Sequence, residues 1–332
     1  VDLGSSRGFL TVHWLAGRLL QAALTVLVAV LLFFILMRLV PGDPLATLTE
    51  DRPITLAQEG AIRERYGLDQ PMTSQLASFL RGALRGDLST SIQYGRPVTH
   101  MLRERLPATL LLGSAVLLVN FTIGLWLGVL QAERRGAWID RLLTVTSLAA
   151  YATPSFWLGL MLVLLFGLHL RWLPVTGISD PSLGNAGGWT TLIDRLRHLV
   201  LPVATLSLVT LASSMRYQRA AMLEVLGQPF ITAARARGLP PAQVRWGHAW
   251  RASLPPVLTL FGLWLPIVVV GSVFVEQVFS WPGLGSLAAA AAGARDYPLL
   301  MGTALLATTA VVAGSLVADL LLAVLDPRVR SA

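Results

Sequence analysis

The chain has 332 residues, 54% of them hydrophobic and 13% charged, about half the charged share of a soluble domain, which marks an integral membrane protein. All 26 basic residues are arginine and there is neither Lys nor Cys, which excludes a Walker-type P-loop needing an ammonium against nucleotide phosphates, and also disulfides, thiolate metal sites and thiol nucleophiles. The net charge of +8 raises nucleic acid as a partner, yet the excess is concentrated on one loop, 216–252, where Arg216, Arg219, Arg235, Arg237, Arg245 and Arg251 face Glu224 alone; no nucleic-acid partner is expected.

In chain order, residues 1–18 read as a cytoplasmic N-terminus too short for a domain of its own, and 19–330 as a single transmembrane domain. Runs apolar and long enough to cross about 30 Å of hydrocarbon occur at 19–37, 106–130, 142–168, 199–215, 254–275 and 299–325, predicting six spans. The fourth is the shortest and extends toward Ala221 if Arg216 and Arg219 face protein or snorkel their stems.

Segment 40–105 is too long for a simple connection. Thr55-Leu56-Ala57-Gln58 matches a capping box, and Met72, Leu76, Phe79, Leu80, Ala83 and Leu84 recur at helical spacing, so two short amphipathic helices are expected. They either lie on the membrane or receive a soluble delivery protein.

Farther on, Pro154, Pro202, Pro255, Pro256 and Pro266 fall in or at the ends of spans three to five, where a missing N–H and a ring clash bend a helix and open cavities. Polar groups at membrane depth are functional candidates: Asn120 in the second span, Glu276 at the outer end of the fifth and Asp319 in the sixth. Asp319 has no second in-membrane carboxylate and suits pairing with a neighbouring helix better than an ion relay.

The segment 228–256 is the most informative stretch. Pro229 can open a short helix, Phe230 to Arg237 can continue it, Gly238 supplies a left-handed cap, and Pro240 and Pro241 stop it and start the next. The small residues Ala233, Ala234 and Ala236 permit close approach of another surface. Its arginines fit either simple membrane orientation with anionic-lipid contact or an anchor for a protein partner.

Orientation follows from the arginines. With the N-terminus inside, Arg7, Arg18, Arg134, Arg135, Arg141, the six on the basic loop, Arg328 and Arg330 are cytoplasmic, and the short outer loops hold only Arg171, Arg195, Arg197 and Arg295. That satisfies the positive-inside rule with both termini cytoplasmic. Catalytic constellations are missing: there is no Gly-x-Ser-x-Gly elbow or His-Glu-x-x-His helix, and His13, His100, His169, His198 and His248 are scattered. No catalytic residue and no metal site is expected.

Motifs along the chain carry a resemblance. Arg38-Leu39-Val40-Pro41-Gly42-Asp43-Pro44 after the first span resembles the signature of B-type permease subunits of dipeptide, oligopeptide and nickel ABC importers. So do Tyr66-Gly67-Leu68-Asp69-Gln70-Pro71, Arg85-Gly86-Asp87-Leu88, Arg105-Leu106-Pro107-Ala108-Thr109-Leu110, Pro154-Ser155-Phe156-Trp157-Leu158-Gly159, Phe279-Ser280-Trp281-Pro282-Gly283-Leu284-Gly285 and Leu325-Asp326-Pro327-Arg328. Thr232 to Gly238 resembles the EAA loop by which such subunits grip their ATPase, although Thr232 replaces the usual Glu and the downstream Pro appears late, as Pro255-Pro256.

The resemblance implies an all-α, six-span, type I ABC-importer permease (MetI-like) fold with a large extracytoplasmic segment at 40–105 and a cytoplasmic coupling loop at 216–253. It implies ATPase coupling through Phe230, Thr232, Ala233, Ala234, Arg235, Arg237 and Gly238, and a translocation path near Tyr151, Pro154, Ser155, Asn120 and Glu276. The implied partners are a related second permease, two cytoplasmic ATPases binding ATP and Mg, an extracytoplasmic binding protein and membrane lipid, in a bacterial or archaeal cytoplasmic membrane. The cargo implied is a di- or oligopeptide, with nickel chelates, glutathione or short sugars handled by the same family. The competing readings are a secondary transporter, whose inverted repeat is not seen, and a membrane anchor.

Overall fold

The computed structural model describes residues 5–39, 45, 55–183, 187–257, 264 and 272–325. The described residues are helical and connecting segments, with no strand beyond one isolated bridge between Thr90 and Pro97. Four helices are long and apolar enough to cross a membrane: Ala16–Leu39, Val98–Glu133, Gly188–Leu226 and Tyr297–Val317. A fifth candidate is a broken pair, Trp138–Ala152 and Ser155–His169, bent by 106°. The expected span 254–275 lies mostly outside the described residues, as do residues 40–44 and 326–328 of two motifs and Pro266.

Two helices differ in extent from the expectation. The first begins at Ser5, ahead of its membrane-crossing stretch Ala16–Leu39. The run expected to be shortest lies within the longest helix, Gly188–Leu226 at 39 residues. It absorbs polar residues because they find partners: Arg219 meets Asp140, and His198 Nδ1 lies 2.9 Å from the Asp194 carbonyl. Of the bends expected at proline, the one at Pro154 is present, whereas Pro202 sits inside a continuous helix.

The chain divides into two compact units, 1–109 with 282–312, and 110–281 with 313–332. In the first, Val98, Met101 and Leu102 pack against Leu284, Leu287, Ala291 and Leu299. A second cluster joins Val30, Phe34 and Met301 to the apolar face of Met72–Leu84 through Leu76, Phe79 and Leu80, as the spacing of that segment predicts. The expected capping box forms: Thr55 Oγ1 accepts from Gln58 N, and Gln58 Oε1 accepts from Thr55 N at 2.9 Å. Gly67 closes that helix with φ +60.

The shared motifs of this unit are turn and cap chemistry. Gly86 takes φ +75, and Asp87 Oδ1 accepts from Ser89 N at 2.8 Å. Thr109 Oγ1 accepts from Leu284 N at 2.7 Å, tying the Arg105–Leu110 motif to the Phe279–Gly285 motif. Asp296, fully buried, accepts from the Ser91 hydroxyl, from Gln93 N at 3.1 Å and, as the cap of the last long helix, from Leu299 N at 3.2 Å.

The second unit is organised on Gly188–Leu226. Gly124 and Gly128 bring the helical stretch ending at Glu133 against it, so close that a Cβ on Gly128 would meet Gln218 Cβ and the Met215 carbonyl at 2.7 Å. Such small-residue contacts are how membrane helices approach when lipid supplies no hydrophobic drive between them. Gly159 lets Ser155–Leu162 come close to Thr205 of the long helix and to Phe279, which a Cβ on it would meet at 3.5 and 3.3 Å.

Candidate coupling helix and translocation residues

The expected short helix spans Pro229–Ala236, with Pro229 at its first position and Gln228 as N-cap. Arg237 N donates to the Ala233 carbonyl at 3.1 Å, and Gly238 N to Arg235 at 2.9 Å. Gly238 takes φ +77, the left-handed conformation that closes a helix without a Cβ penalty. A new helix then starts at Pro241.

Ile231 and Ala234, three residues apart and so on one face, are 0% and 1% exposed. They pack with Val129, Ala132, Met222, Val244 and Ala249. Ala234 is therefore not on the outer surface where close approach to a partner was expected of it. Phe230, Thr232, Ala233, Arg235, Ala236, Arg237 and Gly238 are exposed. The helix is thus anchored by two residues and presents an outer face mixing one aromatic ring, small side chains and two guanidinium groups.

Its support is held by charge as well as packing. Arg245 pairs with Glu133, and Arg219 grips Asp140 through two hydrogen bonds of 2.9 and 2.8 Å. Asp140 also accepts from Gly136 N at 3.0 Å, so this carboxylate joins the turn after Glu133, the helix Trp138–Ala152 and the long helix. Sequence reasoning did not single out Asp140. The only hint was an acidic residue two positions before a predicted span, with Arg216 and Arg219 expected either to face protein or to snorkel.

The candidate path residues separate into two groups. Tyr151 and Pro154 are exposed and Ser155 half-buried at the 106° break, with the Arg216 guanidinium 5.4 Å from the Tyr151 ring centre. Asn120 is fully buried: its amide donates to the Val116 carbonyl at 2.9 Å and to Thr210 Oγ1 at 3.0 Å. It opens a π-helical turn, Asn120–Gly124, and serves here as an interhelical tie. Glu276 is 0% exposed. Asp319 is half-buried in Tyr297–Leu325.

These features define a multi-pass helical membrane protein with a short, capped, outward-facing helix. The chain belongs to the family described as binding-protein-dependent transport system inner membrane component: the family model matches residues 96–331, and the model of its N-terminal region matches residues 11–113. It is similar to the oligopeptide transport system permease protein AppB of Bacillus subtilis (strain 168), 39% identical over 301 residues, covering 90% of this chain and 93% of that protein. Likewise it is 38% identical over 315 residues to the di/tripeptide transport system permease protein DppB of Pseudomonas aeruginosa (strain UCBPP-PA14), covering 90% and 93%. The probable D,D-dipeptide transport system permease protein DdpB of Escherichia coli (strain K12) is 39% identical over 310 residues, covering 89% and 91%.

Proposed function

We propose that this chain forms half of the translocation path of an ATP-driven importer for di- or oligopeptides, coupled to separate cytoplasmic ATPase subunits. Support for the cargo comes from the relatives, which are named as oligopeptide, di/tripeptide and D,D-dipeptide transport permeases. The observation that carries the coupling role is Pro229–Ala236, fixed to its own chain by Ile231 and Ala234 while its remaining side chains face outward. A helix held this way transmits force as a rigid lever.

Closure of two ATPase subunits on ATP and Mg moves that lever, and the helices around the Pro154 break re-pack between outward- and inward-facing arrangements. Bond chemistry stays on the ATPases. The remaining partners are a related second permease and an extracytoplasmic binding protein, which the helices of segment 40–105 would receive. Six spans, with 254–275 as the fifth, place both termini in the cytoplasm of a bacterial or archaeal cell.

Two substitutions test the coupling role. Ala233→Glu adds bulk and charge on the exposed face, where the chain itself does not need the space. Gly238→Val forces a β-branched residue into the left-handed region, at a cost of roughly 1–2 kcal/mol, although no other atom lies within 4 Å of its Cβ position. Both variants are expected to insert normally, lose co-purification with the ATPases and lose ATP-dependent peptide uptake in proteoliposomes. Wild-type complex and uptake in both would refute the coupling role.

A further inference from the structure

In the first unit a cleft of about 490 Å³ lies where the C-terminal end of Ser5–Leu39 meets Leu56–Tyr66, Met72–Leu84 and the start of Tyr297–Leu325. Arg65, Arg81 and Arg85 are exposed and line its rim, Arg38 is half-buried in its wall, and the buried Phe34 and Met301 lie beneath. The lining carboxylates are Glu64 and Asp87, and Asp87 already accepts from Ser89 N.

None of the four guanidinium groups has a carboxylate partner among the described residues. Arg38 is held by the Gln75 side-chain oxygen and by the rings of Phe34 and Tyr297, at 5.4 and 4.8 Å from their centres. Arg65 lies 5.9 Å from the Tyr66 ring centre. These contacts orient guanidinium groups without neutralising them, so among the described residues the cleft carries a positive charge excess ready for an anion.

Its position narrows the anion further. Arg38 lies in the last turn of a 24-residue apolar stretch, Ala16–Leu39, which puts it at headgroup depth. On the face of the same helix turned away from Phe34, Leu32, Ile35, Leu36 and Leu39 are exposed by 56, 51, 59 and 70%, an apolar surface open to lipid. Ile35 is one turn from Arg38. Guanidinium groups at headgroup depth, at the end of a helix whose other face is open to lipid, match a molecule with an anionic head and acyl tails. A carboxylate on a soluble protein would use only the first feature.

We propose that this cleft binds the phosphodiester headgroup of an anionic phospholipid, with its acyl chains beside the end of the first membrane helix. The inference does not depend on the cargo or on ATPase coupling. The site ties lipid to the join between the first membrane helix and the amphipathic helices that follow it.

The test uses the purified full chain in nanodiscs containing phosphatidylglycerol and phosphatidylcholine, then native mass spectrometry of the lipid retained after release into detergent. The wild type is expected to retain phosphatidylglycerol selectively. Each guanidinium removed should weaken retention about fivefold, because a basic residue near an anionic surface contributes about 1 kcal/mol. The double variant Arg81→Gln, Arg85→Gln should therefore lose more than about tenfold, while Arg103→Gln, exposed but outside the cleft, should not change. Equal retention of both lipids, or an unchanged double variant, would overturn the proposal. Displacement of lipid by millimolar inorganic phosphate would instead assign the cleft to a free anion. Undiminished lipid retention in the double variant, with co-purification of the extracytoplasmic binding protein lost, would assign it to an acidic protein surface.

Discussion

At the scale of single residues, glycines divide by what surrounds them. Gly17 has nothing within 4 Å of where a Cβ would stand, whereas at Gly128 that Cβ would meet Gln218 Cβ and the Met215 carbonyl at 2.7 Å. The obstacle at Gly128 includes backbone, which cannot swing aside as a side-chain tip can. Gly128→Val is therefore expected to cost about 1–3 kcal/mol through overpacking. Gly17→Ala, in open space inside a helix, should stabilise slightly, by up to about 1 kcal/mol. Thermal denaturation in detergent distinguishes them, and equal melting would contradict the close helix approach. Sequence reasoning did not single out Gly124 or Gly128, and the helix they face could not be read there, because Ser214 and Gln218 lie about ninety positions away.

At the scale of elements, legibility followed sequence separation. The Thr55–Gln58 box and the Pro229 to Gly238 helix are built from neighbours, so their signals are local and the structure contains both. The bend at Pro154 is likewise local. What sequence could not supply were pairs such as Arg219 with Asp140, 79 positions apart, and Ser91 with Asp296, 205 apart. Asn120 and Glu276 were identifiable as polar groups at membrane depth, but their burial was not, since it depends on which neighbours pack against them. The Asp140 pair makes its own prediction. Asp140→Ala leaves Arg219 without its bidentate partner, and loss of one side of a well-buried pair costs about 3–5 kcal/mol; with the Arg219 side chain 30% exposed, water offsets part of that, leaving roughly 1–3 kcal/mol. Melting should fall in Asp140→Ala and in Arg219→Ala, and the double variant should lose less than the sum of the two. Strict additivity would show that the pair contributes nothing as a unit.

At the scale of the whole molecule, the arginine distribution and the helices make one claim that can be tested without any partner. The proposed six-span arrangement would put Leu56–Tyr66 and the 3₁₀ turn Pro181–Leu183 outside, and the loop that starts the helix at Pro241 inside. The chain contains no Cys, so single cysteines report their own positions without background. Ala57, Ser182 and Gln243 are exposed, and Ala57 is preferable to its neighbour Gln58, whose side chain closes the capping box. Impermeant maleimide added to intact cells should label Ala57→Cys and Ser182→Cys, while Gln243→Cys should react only after the membrane is opened. Between Ser182 and Gln243 the described chain has one helix long enough to cross, Gly188–Leu226. Opposite labelling of these two sites therefore means that this helix spans the membrane with its basic end inside. Labelling of Gln243→Cys from outside would reverse that helix, leave the arginines of the 216–252 loop on the wrong face for the positive-inside rule, and remove Pro229–Ala236 from the compartment where an ATPase could bind it.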